Sequence, residues 1–268
     1  MKRVALSLVA ILAASAALAQ SEGVADYKIT GGSGMTGTSR LYFSKAAFRI
    51  EWNMALSGDE SKRERGPREM KMTMFAKLSD PDVVYSINDD TKTWSTWNTK
   101  EARDEAAKSR EKYTVEKLGT DTVAGFSCQN ARVKSSSGTE MEVCVTRDIS
   151  APAGWLSAMN RQRGGGAWWS AMHDAGIEGL PVRWSTKREG RGGHGGTVTM
   201  EITKFEKKSV PASMFEIPAG YTKSDPMSVG MSPEQKRQMD EALKNMTPEQ
   251  RKQYEEMMKK HAQPAPKE

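Results

Sequence analysis

Apolar and polar residues alternate at intervals of two through most of the chain. Phe48, Ile50, Trp52 and Met54 alternate with Arg49, Glu51 and Asn53, the pattern of a half-buried strand with one wet face. Met70, Met72 and Met74 repeat it, and Leu41 and Tyr42 belong to the strand before. Gly31 to Gly37 reads as a turn between the first two strands. Val83–Asn88 and Thr93–Asn98 read as two short strands joined at Asp89-Asp90-Thr91-Lys92. Residues 100–111 are helix-forming but almost wholly polar, a short surface helix. Strand composition resumes at Tyr113 to Leu118, and Val182–Thr186 with Thr197–Phe205 forms a last hairpin, Val198, Met200 and Ile202 lining one face. Between these strands lies an interrupted apolar helix. Trp155, Leu156 and Met159 share one face, Gly164-Gly165-Gly166 breaks it, and Trp168, Trp169 and Met172 follow on a second short helix.

The stretch 122–146 contains both cysteines. If its Ser135–Gly138 turn centres on Ser136, Cys128 and Cys144 fall directly opposite on one face, within reach of a bridge, and Arg132 faces Glu140. A redox-active pair is the alternative, but it calls for close C-x-x-C spacing at a helix N-terminus, and the sequence shows neither.

Residues 1–19 read as a secretory signal: Lys2 and Arg3, an apolar run from Val4 to Leu18, and Ala17-Leu18-Ala19 before Gln20. The expectation is therefore a periplasmic or secreted protein, a disulfide-permitting compartment, and no transmembrane segment. The charge is +6 over 268 residues and the pI about 9.2. For an exported chain this suggests a solvated surface, not nucleic acid.

The end of the chain differs. MSPEQKRQM at 231–239 and MTPEQRKQY at 246–254 repeat each other. Ser232 and Thr247 are N-cap residues, Pro233 and Pro248 first-turn prolines, and Gln235 and Gln250 complete capping boxes. The apolar stripes are narrow: Met239, Ala242, Leu243 and Met246, then Tyr254, Met257, Met258 and His261. Such helices must dock, meet a protein partner through 231–261, or fray. The chain divides into 1–19, a β-rich body over 20–225, and a helical tail over 226–268 that ends in a disordered stretch.

Three histidines, at 173, 194 and 261, have no partner at metal-ligand spacing, and there is no nucleophile elbow, P-loop or dinucleotide fingerprint. Neither a metal, a cofactor nor an enzymatic activity is expected. Met70, Met72 and Met74 beside Trp52 could hold a soft cation such as Cu(I), but methionine is also a gap-filling core residue, and the core reading is preferred.

A set of ordered motifs adds a resemblance. Gly119–Cys128 with its T-V-A-G-x-x-C strand, Glu142–Thr146, Gly179-Leu180-Pro181-Val182 and Phe215–Tyr221 (FEIPAGY) are similar to a family of exported bacterial proteins with an uncharacterised domain. That family resembles periplasmic lipoprotein carriers of the LolA and LolB type. The resemblance implies an α+β fold, an incomplete antiparallel β-barrel curved around one or two helices. The tail is similar to the L-T-x-x-Q repeats of periplasmic stress chaperones, with Met in place of Leu.

The functional expectation is a non-enzymatic carrier of a lipid or other apolar ligand, in a cavity lined by Phe48, Ile50, Trp52, Met54, Met72 and Met74 and covered by Trp155, Trp168 and Trp169. The alternative is a chaperone-like or structural partner protein that acts through its tail helices.

Overall fold

The structure is a computed structural model that describes residues 22–31, 35–56, 68–98, 100, 111–150, 166–188, 196–224 and 233–261. Twelve strands form one sheet: β1 (Gly23–Gly31), β2 (Met35–Phe43), β3 (Ala47–Leu56), β4 (Arg68–Lys77), β5 (Val83–Asn88), β6 (Thr93–Asn98), β7 (Tyr113–Val123), β8 (Phe126–Ser135), β9 (Glu140–Thr146), β10 (Leu180–Arg188), β11 (Gly196–Lys207) and β12 (Thr222–Lys223). Their order is β12-β6-β5-β4-β3-β2-β1-β11-β10-β9-β8-β7. The sheet is open. It is antiparallel except at one edge, where β12 runs parallel to β6, so it is mixed and not the wholly antiparallel sheet expected. Three α-helices are described, α1 (Gly166–Asp174), α2 (Pro233–Lys244) and α3 (Pro248–His261), and one short 3-10 turn at Ala212–Phe215.

The period-2 alternation is realised as rows of side chains across the sheet. Ser86, Met74, Ile50, Leu41 and Ala25 are successive cross-strand neighbours, and so are Met72, Trp52, Ser39, Tyr27 and Ile202. These rows supply the largest apolar cluster, which runs from Val84 and Ala76 across to Ile202, Val182 and the disulfide. Tyr27 donates its hydroxyl to Pro181 O at 3.1 Å, which satisfies a polar group inside that cluster.

The opposite face of β3–β6 has its own cover. Phe75, Ile87, Tyr85 and Trp94 pack under Val210, Met214, Phe215, Ile217 and Tyr221. The FEIPAGY segment is thus a strap on this face. Arg49 donates to Met214 O at 3.2 Å, Tyr221 to Asp89 at 2.7 Å, and Ser224 N to Trp94 O at 2.7 Å. A third cluster lies at the other end of the sheet, where α1 lays Met172, Trp168 and Trp169 over Ala131, Val133, Val143 and Val145.

The cysteine hairpin forms with a different register from the one expected. Asn130, not Cys128, stands opposite Cys144, and Arg132 stands opposite Glu142, not Glu140. The turn contains Ser136, Ser137 and Gly138, with Gly138 at φ +92°, and so centres one residue later than expected. The change moves each partner by two residues and keeps every side chain on its face. The cysteines become diagonal neighbours, with Cα atoms 5.3 Å apart, and the disulfide forms. Arg132 still reaches Glu140 at 3.2 Å, as well as Glu142 at 2.8 Å.

The expected signal at 1–19, the surface helix at 100–111 except Lys100 and Glu111, and the first half of the interrupted helix, with Trp155, lie outside the described residues.

Candidate functional site

Burial along the apolar face is graded, and it falls toward the same end on every central strand. On β3, Phe48 and Ile50 are fully buried while Trp52 and Met54 are half-buried. On β4, Ala76 and Met74 are buried while Met72 and Met70 are half-buried. On β2, Leu41 and Phe43 give way to Gly37 and Met35; on β11, Ile202 and Met200 give way to Val198; on β10, Val182 gives way to Trp184. The register places these half-buried residues at one end of the sheet: Met54 neighbours Gly37 and Met70, Trp52 neighbours Met72, and Val198 neighbours Gly31 and Thr186. The face therefore has a buried end and an open end rimmed by Met35, Trp52, Met54, Met70, Met72, Val198 and Trp184.

The open end brings together Trp52, Met54 and Met72 of the expected lining. Phe48, Ile50 and Met74 lie on the same face but belong to the packed core. Trp168 and Trp169 stand edge to face, ring centroids 5.4 Å apart, on α1. Trp168 packs on the β7–β10 end alone, while Trp169 and Trp184 touch both that cluster and the main one. Sequence reasoning missed Met35, Trp184 and Trp97 as members of this face. Alternation across Thr93–Trp97 and Val182–Thr186 was the available signal.

Three hydrogen-bonding atoms on this face are buried without a partner among the described residues: Ser39 Oγ, Ser95 Oγ and Trp97 Nε1. Ser39 sits between Tyr27 and Trp52 in its row, and Ser95 and Trp97 neighbour Ser86 and Val84.

Three of the four motifs carrying the family resemblance converge elsewhere, on the corner held by the disulfide. Gly179 is at φ +128°, and a Cβ there would overlap Thr146 O, so this position accepts glycine alone. Arg183 donates to Asp121 Oδ2 at 2.6 Å and Asn130 Oδ1 at 3.3 Å, tying β10 to β7 and β8. That hydrogen bond holds the Asp121 carboxyl below the ordinary carboxylate range. These motifs are a clasp, and structural constraint accounts for each. Beside the clasp is a surface cleft of about 320 Å³, lined by Lys117, Thr120, Gln129, Arg147, Asp148 and Glu178 among others. Arg147 donates to Gly176 O at 3.0 Å where α1 ends, so one of the cleft's cations serves the helix terminus.

In the tail, Thr247 and Gln250 form the expected reciprocal capping box: Thr247 N donates to Gln250 Oε1 at 3.0 Å, and Gln250 N to Thr247 Oγ1 at 3.2 Å. A groove of about 420 Å³ lies there, lined by Ala242, Asn245, Met246, Gln250, Gln253 and Tyr254. Among the described residues, no three His, Cys, Asp or Glu side chains gather as a metal site, and no helix is long and apolar enough to cross a membrane.

No curated protein matches the chain. Solved structures match it at low identity. An uncharacterized conserved protein from Thermus thermophilus is 9% identical, with 76% of this chain and 90% of that one covered and a TM-score of 0.41. The MucA/MucB complex of Pseudomonas aeruginosa matches at 13% identity, 75% and 56% coverage, and a TM-score of 0.40. A LolA superfamily protein from Nitrosomonas europaea matches at 8% identity, 74% and 91% coverage, and a TM-score of 0.27. A family profile, by contrast, matches directly over residues 22–221, most of the chain. The chain belongs to that family, the domain of unknown function DUF4412.

Proposed function

We propose that this chain is an exported, non-enzymatic binding protein that takes a lipid or other apolar ligand at the open end of its apolar face. The observation that supports the reading is the burial gradient. Neighbouring strands leave large apolar side chains half-covered at the same end, and those side chains include five soft or aromatic ones brought near each other by register: Trp52, Met54, Met70, Met72 and Met35. Methionine adapts to ligands of varied shape. Binding there runs on desolvation, about 0.8 kcal/mol for each methylene withdrawn from water. Export is supported by the signal-like pattern of 1–19 and by the buried Cys128–Cys144 bridge. In this reading, 20–225 is the binding body and 226–268 an appended tail.

Titration of the purified protein with a lauroyl amphiphile, followed by tryptophan fluorescence, tests it. Trp52 should respond, and the Trp52→Phe variant should lose most of the signal. A flat titration in the folded protein rejects the reading.

A second reading rests on the tail. Its groove beside Met246 and Tyr254 offers an apolar seat for a helix of a protein partner. Deleting 226–268 separates the two: ligand uptake should survive the deletion, and any partner captured by the tail should be lost.

A further inference from the structure

The buried unpartnered donors give the ligand a chemical class; this inference rests on the apolar-ligand reading above. Ser39 is 2% exposed and Ser95 is 0% exposed, yet neither hydroxyl has a partner among the described residues, and nor does the half-buried Trp97 indole N–H. A buried polar group left unpaired costs about 1–3 kcal/mol, so native structures tolerate few. All three lie on one face of one sheet. Ser39 is the cross-strand neighbour of Trp52, and Trp52 of Met72, so it stands in the row that borders the open end. Ser95 and Trp97 lie on β6, in the deeper rows of Met74 and Ala76.

An indole N–H can only donate, and a serine hydroxyl with no acceptor nearby is free to donate. The face therefore offers donors. We infer that the ligand is an acyl compound whose carbonyl oxygen accepts a hydrogen bond from Ser39 at the threshold of the open end. Hydrocarbon alone would leave the donors unpaired.

The test compares methyl laurate and tridecane, delivered from cyclodextrin at pH 7.5, on the full chain and on Ser39→Ala. The expected result is that methyl laurate binds about tenfold tighter than tridecane, the worth of one hydrogen bond in a dry site. Ser39→Ala should reduce the ester to the level of tridecane and leave tridecane unchanged. Its thermal midpoint should not fall, because the variant removes an unsatisfied group. Equal affinity for ester and hydrocarbon in the wild type, or an ester preference that persists in Ser39→Ala, overturns the inference while apolar binding stands. If neither compound binds, the apolar-ligand reading itself falls, and this one with it.

Discussion

Phe126 and Phe205 meet edge to face with ring centroids 6.2 Å apart, although two strands, β9 and β10, lie between the strands that carry them. On a flat sheet that separation is about 14 Å. Phe43 stacks on the other side of Phe205 at 5.8 Å, across β1. The sheet must bend sharply here, and the three rings fill the bend. Replacing Phe205 by Ala should destabilise the fold by about 3 kcal/mol. A double-mutant cycle with Phe126→Ala, measured by urea unfolding, should return a coupling of about 1 kcal/mol. Strict additivity would mean that the contact does not hold the curvature.

The clasp at the disulfide corner makes a contrast between two glycines. Gly179 and Gly138 both have positive φ, but a Cβ at Gly138 would meet nothing within 4 Å. Gly138→Ala should cost about 1–2 kcal/mol from backbone strain alone. Gly179→Ala should cost clearly more, because it also collides with the Thr146 backbone. Replacing both cysteines by Ala should cost roughly 3 kcal/mol for a bridge of separation 16. Chemical denaturation of the three variants checks the order.

Glu206 lies between Lys204 and Lys208, the latter at 2.6 Å, and their hydrogen bonds pull its carboxyl down to about 2. A carboxyl depressed in the folded state stabilises the protein above its unfolded value. That contribution is lost as pH falls from the ordinary glutamate range through about 2. NMR titration of the Glu206 side chain should show it still largely ionised at pH 3. Because the side chain stands open to solvent at the sheet surface, added salt should move its midpoint back up.

The Thr247 capping box makes a local prediction. Thr247→Ala should cost α3 about 1 kcal/mol. Amide exchange at Glu249, Gln250 and Arg251 should quicken, with no change in the sheet.

Much of this architecture was legible in the sequence because it is local. The alternation of Phe48 to Met54 and of Met70 to Met74 determines which side chains share a face, and the structure keeps every one of them there. The capping signature at Thr247 is equally local. Register is not: whether Cys128 meets Cys144 directly or diagonally depended on one residue in a serine-rich turn, where Gly138 takes the left-handed conformation. The role of FEIPAGY as an outer strap, with β12 pairing parallel to β6, depends on contacts with residues more than a hundred positions away. The open end is least legible of all. Ile50 and Trp52 belong to the same alternation, and only the completed sheet buries one and leaves the other half-covered. For the same reason Ser39 drew no attention in the sequence: a serine in a strand is ordinary until its neighbours are known.

Native mass spectrometry of the protein, purified without detergent, tests the central claim most directly. The account predicts an apolar adduct that solvent extraction removes and added methyl laurate restores, with uptake at least tenfold weaker in Met72→Asp, a charge placed at the half-buried rim. A wild-type chain that flies bare and takes up no acyl ligand, or a Met72→Asp variant that binds as well as the wild type, would contradict it.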